Sequence, residues 1–210
     1  MILQWVRQGL VIAIHFGLPC GSFSRARDIP GGPPPLRSDS QPMGRTDLKS
    51  KSDVDKVRVG NVLLRFCVQV CFLAKSRRIP WTLENPFSSR VWICPNMLRL
   101  MRSPYVQMQC TDFCAFGGPF RKRTAFLSFL VDLSRLEKHR CIGAPRGVCK
   151  FSGKQHVHVQ GKEKGAWRTA VAEPYPRGLC KVVARAFSDC LAADKAESFE
   201  NALRKSAVTQ

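Results

Sequence analysis

The chain has 210 residues, 44% hydrophobic and 23% charged, enough for one domain with appendages and a sizeable core. Thirty-four Lys and Arg stand against fifteen Asp and Glu, and the net charge of +19 favours polyanionic partners, nucleic acid first. Ten irregularly spaced cysteines do not form the dense framework of a small secreted domain; they point to thiols in a reducing compartment.

Residues 10–18, LVIAIHFGL, are rich in β-branched residues and stop at Pro19, which predicts a buried strand. The run is too short to cross a bilayer, and His15 interrupts it without a small-residue cleavage site after it. A nuclear or cytoplasmic, non-secreted chain without a membrane role is the expectation. Residues 25–56 read as a Pro/Gly-rich linker around PGGPPP. Residues 53–77 have helical period, with Val59, Leu63, Phe66, Val70 and Leu73 as the predicted apolar face and Cys67 and Cys71 one turn apart.

IPWTL then predicts a short strand ended by Glu-Asn-Pro, and PNMLRLMR a short helix. VQMQCTDFCAFG reads as a strand entering a loop, and GGPFRKRTAFLSFLV as a turn, a basic step and another strand. These pieces make residues 57–132 an α/β core. Residues 133–168 are irregular, basic and rich in Cys and His. Residues 169–190 predict a Pro-led return helix with Leu179, Val182, Val183 and Ala186 on its apolar face, and 191–210 a polar, frayed tail.

Four motifs occur in order. Pro19-Cys20-Gly21-Ser22-Phe23-Ser24 follows the first strand, and Glu84-Asn85-Pro86 the second. Phe116-Gly117-Gly118-Pro119-Phe120-Arg121-Lys122-Arg123 leads into a later strand, and Pro174-Tyr175-Pro176-Arg177-Gly178-Leu179 opens the last helix. In that order the chain resembles the cytosine-5 DNA methyltransferases over roughly residues 10–187. The resemblance implies a partial Rossmann-like methyltransferase sheet, S-adenosylmethionine as cofactor and DNA as partner. Departures are plain: the family's Phe-x-Gly-x-Gly cofactor loop and the Gln before its Arg-x-Arg pair are absent, and that pair sits one residue out of register from Pro119. The expectation is a truncated family descendant, possible in a mobile element, weakly active or inactive unless another chain supplies the cofactor half.

On this resemblance Cys20 is the nucleophile, because carbon 5 of cytosine becomes reactive only after a thiolate adds at carbon 6. Arg25 and Arg27 are the cations expected to lower its pKa. Glu84 is the carboxyl that neutralises ring nitrogen 3. Asn85 would orient the loop, and Arg121 or Arg123 bind the cytosine carbonyl or a phosphate. Pro19, Pro174 and Tyr175 are assigned to the cofactor. The target base must leave the duplex.

A second constellation is independent of the family. Cys141, Cys149, His156 and His158 fall within eighteen residues as Cys-x7-Cys-x6-His-x-His, a donor set suited to tetrahedral zinc although the spacing is not a tight knuckle. The competing reading is a non-catalytic basic nucleic-acid-binding protein in which this loop contacts phosphate.

Overall fold

A computed structural model gives the structure of residues 1–30, 33–144, 147–157, 159, 162–163, 166–167 and 171–208; for 162–163, 166–167 and 194–208 it describes the backbone alone. The chain is mixed α/β. Its elements are α1 (Ile2–Arg7), β1 (Ile14–Gly17), α2 (Lys51–Ser76), β2 (Trp81–Pro86), α3 (Pro95–Met101), β3 (Val106–Asp112), β4 (Arg123–Phe129), β5 (Lys162–Glu163), β6 (Ala166–Trp167) and α4 (Arg177–Val208).

A four-stranded sheet in the order β1-β2-β4-β3 organises the fold. β1 runs parallel to β2, with Gly17 opposite Glu84, while β4 is antiparallel to both β2 and β3. The inner strands are buried along nearly their whole length, their polar residues Thr82, Glu84, Asn85, Thr124 and Ser128 included. The outer strand β1 is half exposed and only four residues long. The buried nine-residue strand expected over 10–18 is therefore shortened to an edge strand, and Ile12 is 71% exposed.

Successive strand residues point to opposite faces. Trp81, Leu83, Ala125, Leu127 and Phe129 face one way and join Leu64, Cys67, Cys71, Met97 and Leu100 in the larger core. Phe126 faces the other way, with Phe113, Phe120, Leu133, Leu136 and Leu179, and Tyr175 packs against them. The sheet thus lies between α1, α2 and α3 on one side and α4 on the other.

Helix α2 has Asp53 in its first turn and Lys75 in its last, the charge order that suits the helix dipole. By length and composition it could cross a membrane, but here Val57, Gly60, Leu64, Cys67, Val68, Val70, Cys71 and Ala74 are buried in the protein. Most of the predicted face meets the core: Val70 is buried, Leu63, Phe66 and Leu73 pack against the core partly buried, and Val59, 48% exposed, points away. Gly60 makes a further contact. A Cβ there would lie 2.7 Å from the Ser22 hydroxyl and 2.9 Å from the Arg37 guanidinium, so the helix meets the preceding loop backbone-first.

The expected linker is accordingly part of the body of the protein. Its last six residues open helix α2; before them the regular structure among the described residues is the 3-10 turn Arg25–Asp28, yet Leu36 and Arg37 are buried. Arg37 lies over the Phe23 ring at 3.7 Å and donates to the Ser22 hydroxyl, the Asn61 side chain and the carbonyls of Pro42 and Val57. Burial pushes its pKa down to about 10. Helix α3 begins with Pro95, whose fixed φ suits a first helical position. Helix α4 continues to Val208, through the stretch expected to be a frayed tail.

Candidate functional site

The parallel pairing of β1 and β2 brings the first two motifs together. Leu18, Pro19 and Cys20 leave the end of β1 beside the end of β2, where Glu84 and Asn85 sit. Asn85 is fully buried, and its amide donates to the Leu18 carbonyl at 2.6 Å. It thus ties the Cys20 loop to the neighbouring strand. The loop turns on a hydrogen bond from the Phe23 N–H to the Cys20 carbonyl, and the Phe23 carbonyl accepts from the Arg90 N–H.

Glu84 is 5% exposed on the α4 face of the sheet. One carboxylate oxygen accepts from the Thr124 hydroxyl, and the other accepts from the Tyr175 hydroxyl at 2.8 Å. A buried carboxylate requires such partners. Burial and the neighbouring Glu84 charge hold the Tyr175 phenol well above its ordinary pKa, so it stays a donor. The phenol oxygen is seated over Gly17, 3.0 Å from where a Cβ would be. His15, on the same face, meets Tyr175 edge to face at 5.8 Å and is joined to the Thr82 hydroxyl at 2.7 Å. Burial lowers its pKa, and Glu84 partly offsets that.

Cys20 is half-buried. Burial raises its thiol pKa, the Lys122 ammonium pulls it down, and Glu84 and Glu173 push it up. The cation acting on the thiol is therefore Lys122 rather than Arg25 or Arg27. Arg25 is held by Asp39 and the Ser88 carbonyl, and Arg27 by the Gly21 and Pro34 carbonyls. Lys122 donates to the Ala172 carbonyl at 3.0 Å and lies over the Phe113 ring.

Arg121 and Arg123 sit on the other side of that segment. Asp112, fully buried, accepts from Arg123 at 3.0 and 3.2 Å and lies 3.5 Å from the Arg121 guanidinium. Arg121 also donates to the Gly143 carbonyl and Arg123 to the Cys141 carbonyl. Both guanidiniums engage Asp112 and this loop rather than Glu84. The two residues of this segment that act on Cys20 and Glu84 are Lys122, through its charge, and Thr124, through its hydroxyl.

Beyond that loop lies a second cluster. Cys114, Cys141, Cys149 and His156 are all buried, and their Sγ and imidazole N atoms lie within 4.8 Å of one another. None of these cysteines is in a disulfide, and the three form a small apolar cluster of their own. Such a set can hold a metal ion. Cys141, Cys149 and His156 were readable from their spacing; Cys114 was not. It comes from the 3-10 turn Phe113–Phe116, twenty-seven residues before Cys141. That turn closes through Gly117 at φ +88°, a left-handed conformation that glycine adopts without strain. His158, the fourth ligand expected from sequence, lies outside the described residues.

Pro19, Pro174 and Tyr175 do not form a seat for S-adenosylmethionine. Tyr175 spends its hydroxyl on Glu84, Pro19 and Pro174 are exposed, and the turn after β1 is Leu18-Pro19-Cys20 rather than a glycine-rich loop. Comparison with family models, with curated proteins and with solved structures returned no match.

Proposed function

We propose that this chain is a cytosine-5 DNA methyltransferase-like protein of partial Rossmann-like descent, whose pocket between the ends of β1 and β2 takes an unstacked cytosine. One observation carries the reading: Cys20 and Glu84, sixty-four residues apart, stand at the ends of neighbouring parallel strands with the Lys122 charge acting on the thiol. The helix, strand, Glu-Asn-Pro, strand, basic step, strand order also agrees with the resemblance.

The chemistry follows from the side chains. Cys20, once deprotonated, adds to carbon 6; the sulfur–carbon bond forms as the ring π pair moves towards carbon 5 and the nitrogen 3 side. Lys122 stabilises the thiolate that starts the step. The proton leaving the Cys20 thiol passes to the Glu84 carboxylate, which donates it to nitrogen 3 where the charge collects. Tyr175 must release its hydrogen bond before Glu84 can reach the base. S-adenosylmethionine would supply the methyl group, but the residues here do not fit it. These residues alone support only reversible addition; methyl transfer would need a cofactor seat that they do not provide.

DNA binding draws on the basic surface. Arg177, Lys181 and Arg185 recur every four residues on the exposed side of α4, a spacing that lines them along one face for phosphate. The same stripe favours the second reading, a non-catalytic nucleic-acid binder. The metal suited to the Cys/His cluster is zinc, since three thiolates and an imidazole are its usual tetrahedral donors.

The test is a covalent trap. Duplex DNA carrying 5-fluorocytosine is incubated with the full chain, and adducts are read by denaturing electrophoresis and mass spectrometry. An adduct at Cys20, absent in Cys20→Ala, supports the enzyme lineage. Salt-dependent DNA binding with no adduct leaves the non-catalytic binder.

A further inference from the structure

We infer that Cys114, Cys141, Cys149 and His156 form a structural zinc centre that fastens the loops beyond β3 and β4 and, through Asp112, sets the pocket cation Lys122 in place. The inference rests on the zinc reading and is independent of the pyrimidine reading.

The cluster has the geometry of a site rather than of ordinary packed thiols. Zinc–sulfur and zinc–nitrogen bonds at a tetrahedral angle separate a sulfur from a nitrogen by about 3.6 Å and two sulfurs by about 3.8 Å. The Cys141 sulfur and His156 Nε2 are 3.7 Å apart. His156 Nδ1 lies 3.0 Å from the Ala144 carbonyl, a contact it can make only as an N–H donor. With Nδ1 engaged there, Nε2 is the ring atom that faces the sulfurs, the outer-shell arrangement that orients histidine ligands. Backbone N–H groups point at the sulfurs too, Lys150 at Cys141 and Phe151 at Cys149, both at 3.4 Å. Amide donors favour thiolates over thiols. A disulfide could join only two of the three sulfurs. One tetrahedral ion joins all four groups, which come from three stretches of chain: the turn after β3, the segment after the 3-10 turn Ser134–His139, and the tight loop 149–156.

The link to the pocket is a chain of hydrogen bonds. The Cys141 N–H donates to Asp112 at 2.7 Å, and Arg123 bridges Asp112 and the Cys141 carbonyl. Arg121 donates to the Gly143 carbonyl at 2.6 Å. The metal loop thus grips residues 121 and 123. Lys122, between them, is directed to the opposite side, as alternation along an extended segment requires. Loss of the ion frees the Cys141–Gly143 loop, and with it the two arginine anchors that hold Lys122 towards Cys20. The other charged groups acting on Cys20 are Glu84 and Glu173, which do not depend on that loop.

The experiment has two readouts on the full chain. Elemental analysis of protein purified without added metal should give one zinc per chain in the wild type and in His158→Ala, and none in Cys114→Ser. Wild type without zinc, or Cys114→Ser that keeps it, overturns the centre. The second readout is the rate of Cys20 alkylation by iodoacetamide, mapped by mass spectrometry. Stripping zinc should slow it several-fold, to the rate of Lys122→Met, and have no further effect in that variant. An unchanged rate after zinc loss leaves the centre standing and overturns the link to Lys122. A rise in rate at both Cys20 and Cys71, buried in α2, would mean that the ion holds the whole fold, and overturns the link equally.

Discussion

The Cys/His cluster and the Cys20–Glu84 pocket lie on opposite sides of the segment 121–123, and they meet their polar needs differently. In the cluster, four buried donor atoms converge within 4.8 Å, with surrounding amides and a carbonyl arranged to keep them available. In the pocket, the groups satisfy one another: Thr124 and Tyr175 occupy both oxygens of Glu84, and burial keeps Cys20 protonated against the pull of Lys122. The first can hold an ion as it stands. The second is closed at rest and needs a hydrogen bond broken before it can act.

Asp112 is the place to test whether the two regions are joined. Asp112→Ala leaves two guanidiniums without their buried carboxylate and should cost about 3–5 kcal/mol in urea unfolding. It should also weaken zinc retention and slow Cys20 alkylation together; a variant that loses stability while both others hold would separate the regions. Glu84→Gln replaces a charged acceptor of two hydrogen bonds and should cost about 2 kcal/mol. It should abolish the 5-fluorocytosine adduct while zinc content stays at one per chain. Tyr175→Phe removes one donor to Glu84, for about 1–2 kcal/mol. In the closed-pocket view it should also raise the initial rate of trapping, whereas a fall would make Tyr175 a support for Glu84 rather than its cover.

The pH dependence gives a finer test. Burial raises the Cys20 pKa above 9.0, so its alkylation rate should keep climbing as pH passes that value. Lys122 lowers that pKa, so Lys122→Met should move the midpoint up; Glu84 raises it, so Glu84→Gln should move it down. Arg25→Gln and Arg27→Gln, on half-buried arginines engaged elsewhere, should each cost about 1 kcal/mol and leave the Cys20 profile in place.

Much of the framework was legible because local sequence and environment agree. IPWTL and TAFLSF have strand length and became the doubly covered inner strands, and the alternating VQMQC became an outer one. Helix α2 was legible as a helix and in most of its apolar face, but not in its contact at Gly60, which exists only once Ser22 and Arg37 lie against it. The burial of Leu36 and Arg37 was hidden for the same reason: proline-rich composition shows that a stretch is irregular, not that it is loose. In the site, Cys20, Glu84 and Asn85 were singled out by their motifs. Arg121 and Arg123 do share a face, but which face depends on the pairing of Arg123 with Asp112 across β3 and β4, a contact spacing does not encode. The pocket's cation fell between them. Cys114 escaped because a ligand contributed from a turn far upstream leaves no local pattern.

The Tyr175–Glu84 hydrogen bond joins residues 91 positions apart. During synthesis β1, β2 and β4 emerge well before the Pro174-Tyr175-Pro176 segment, so a nascent chain at the ribosome holds an inward-facing glutamate with one oxygen unanswered. Water can serve that oxygen until α4 docks. The pocket is therefore assembled last, and a chain cut short before residue 175 would keep a nearly whole sheet whose acid remains wet.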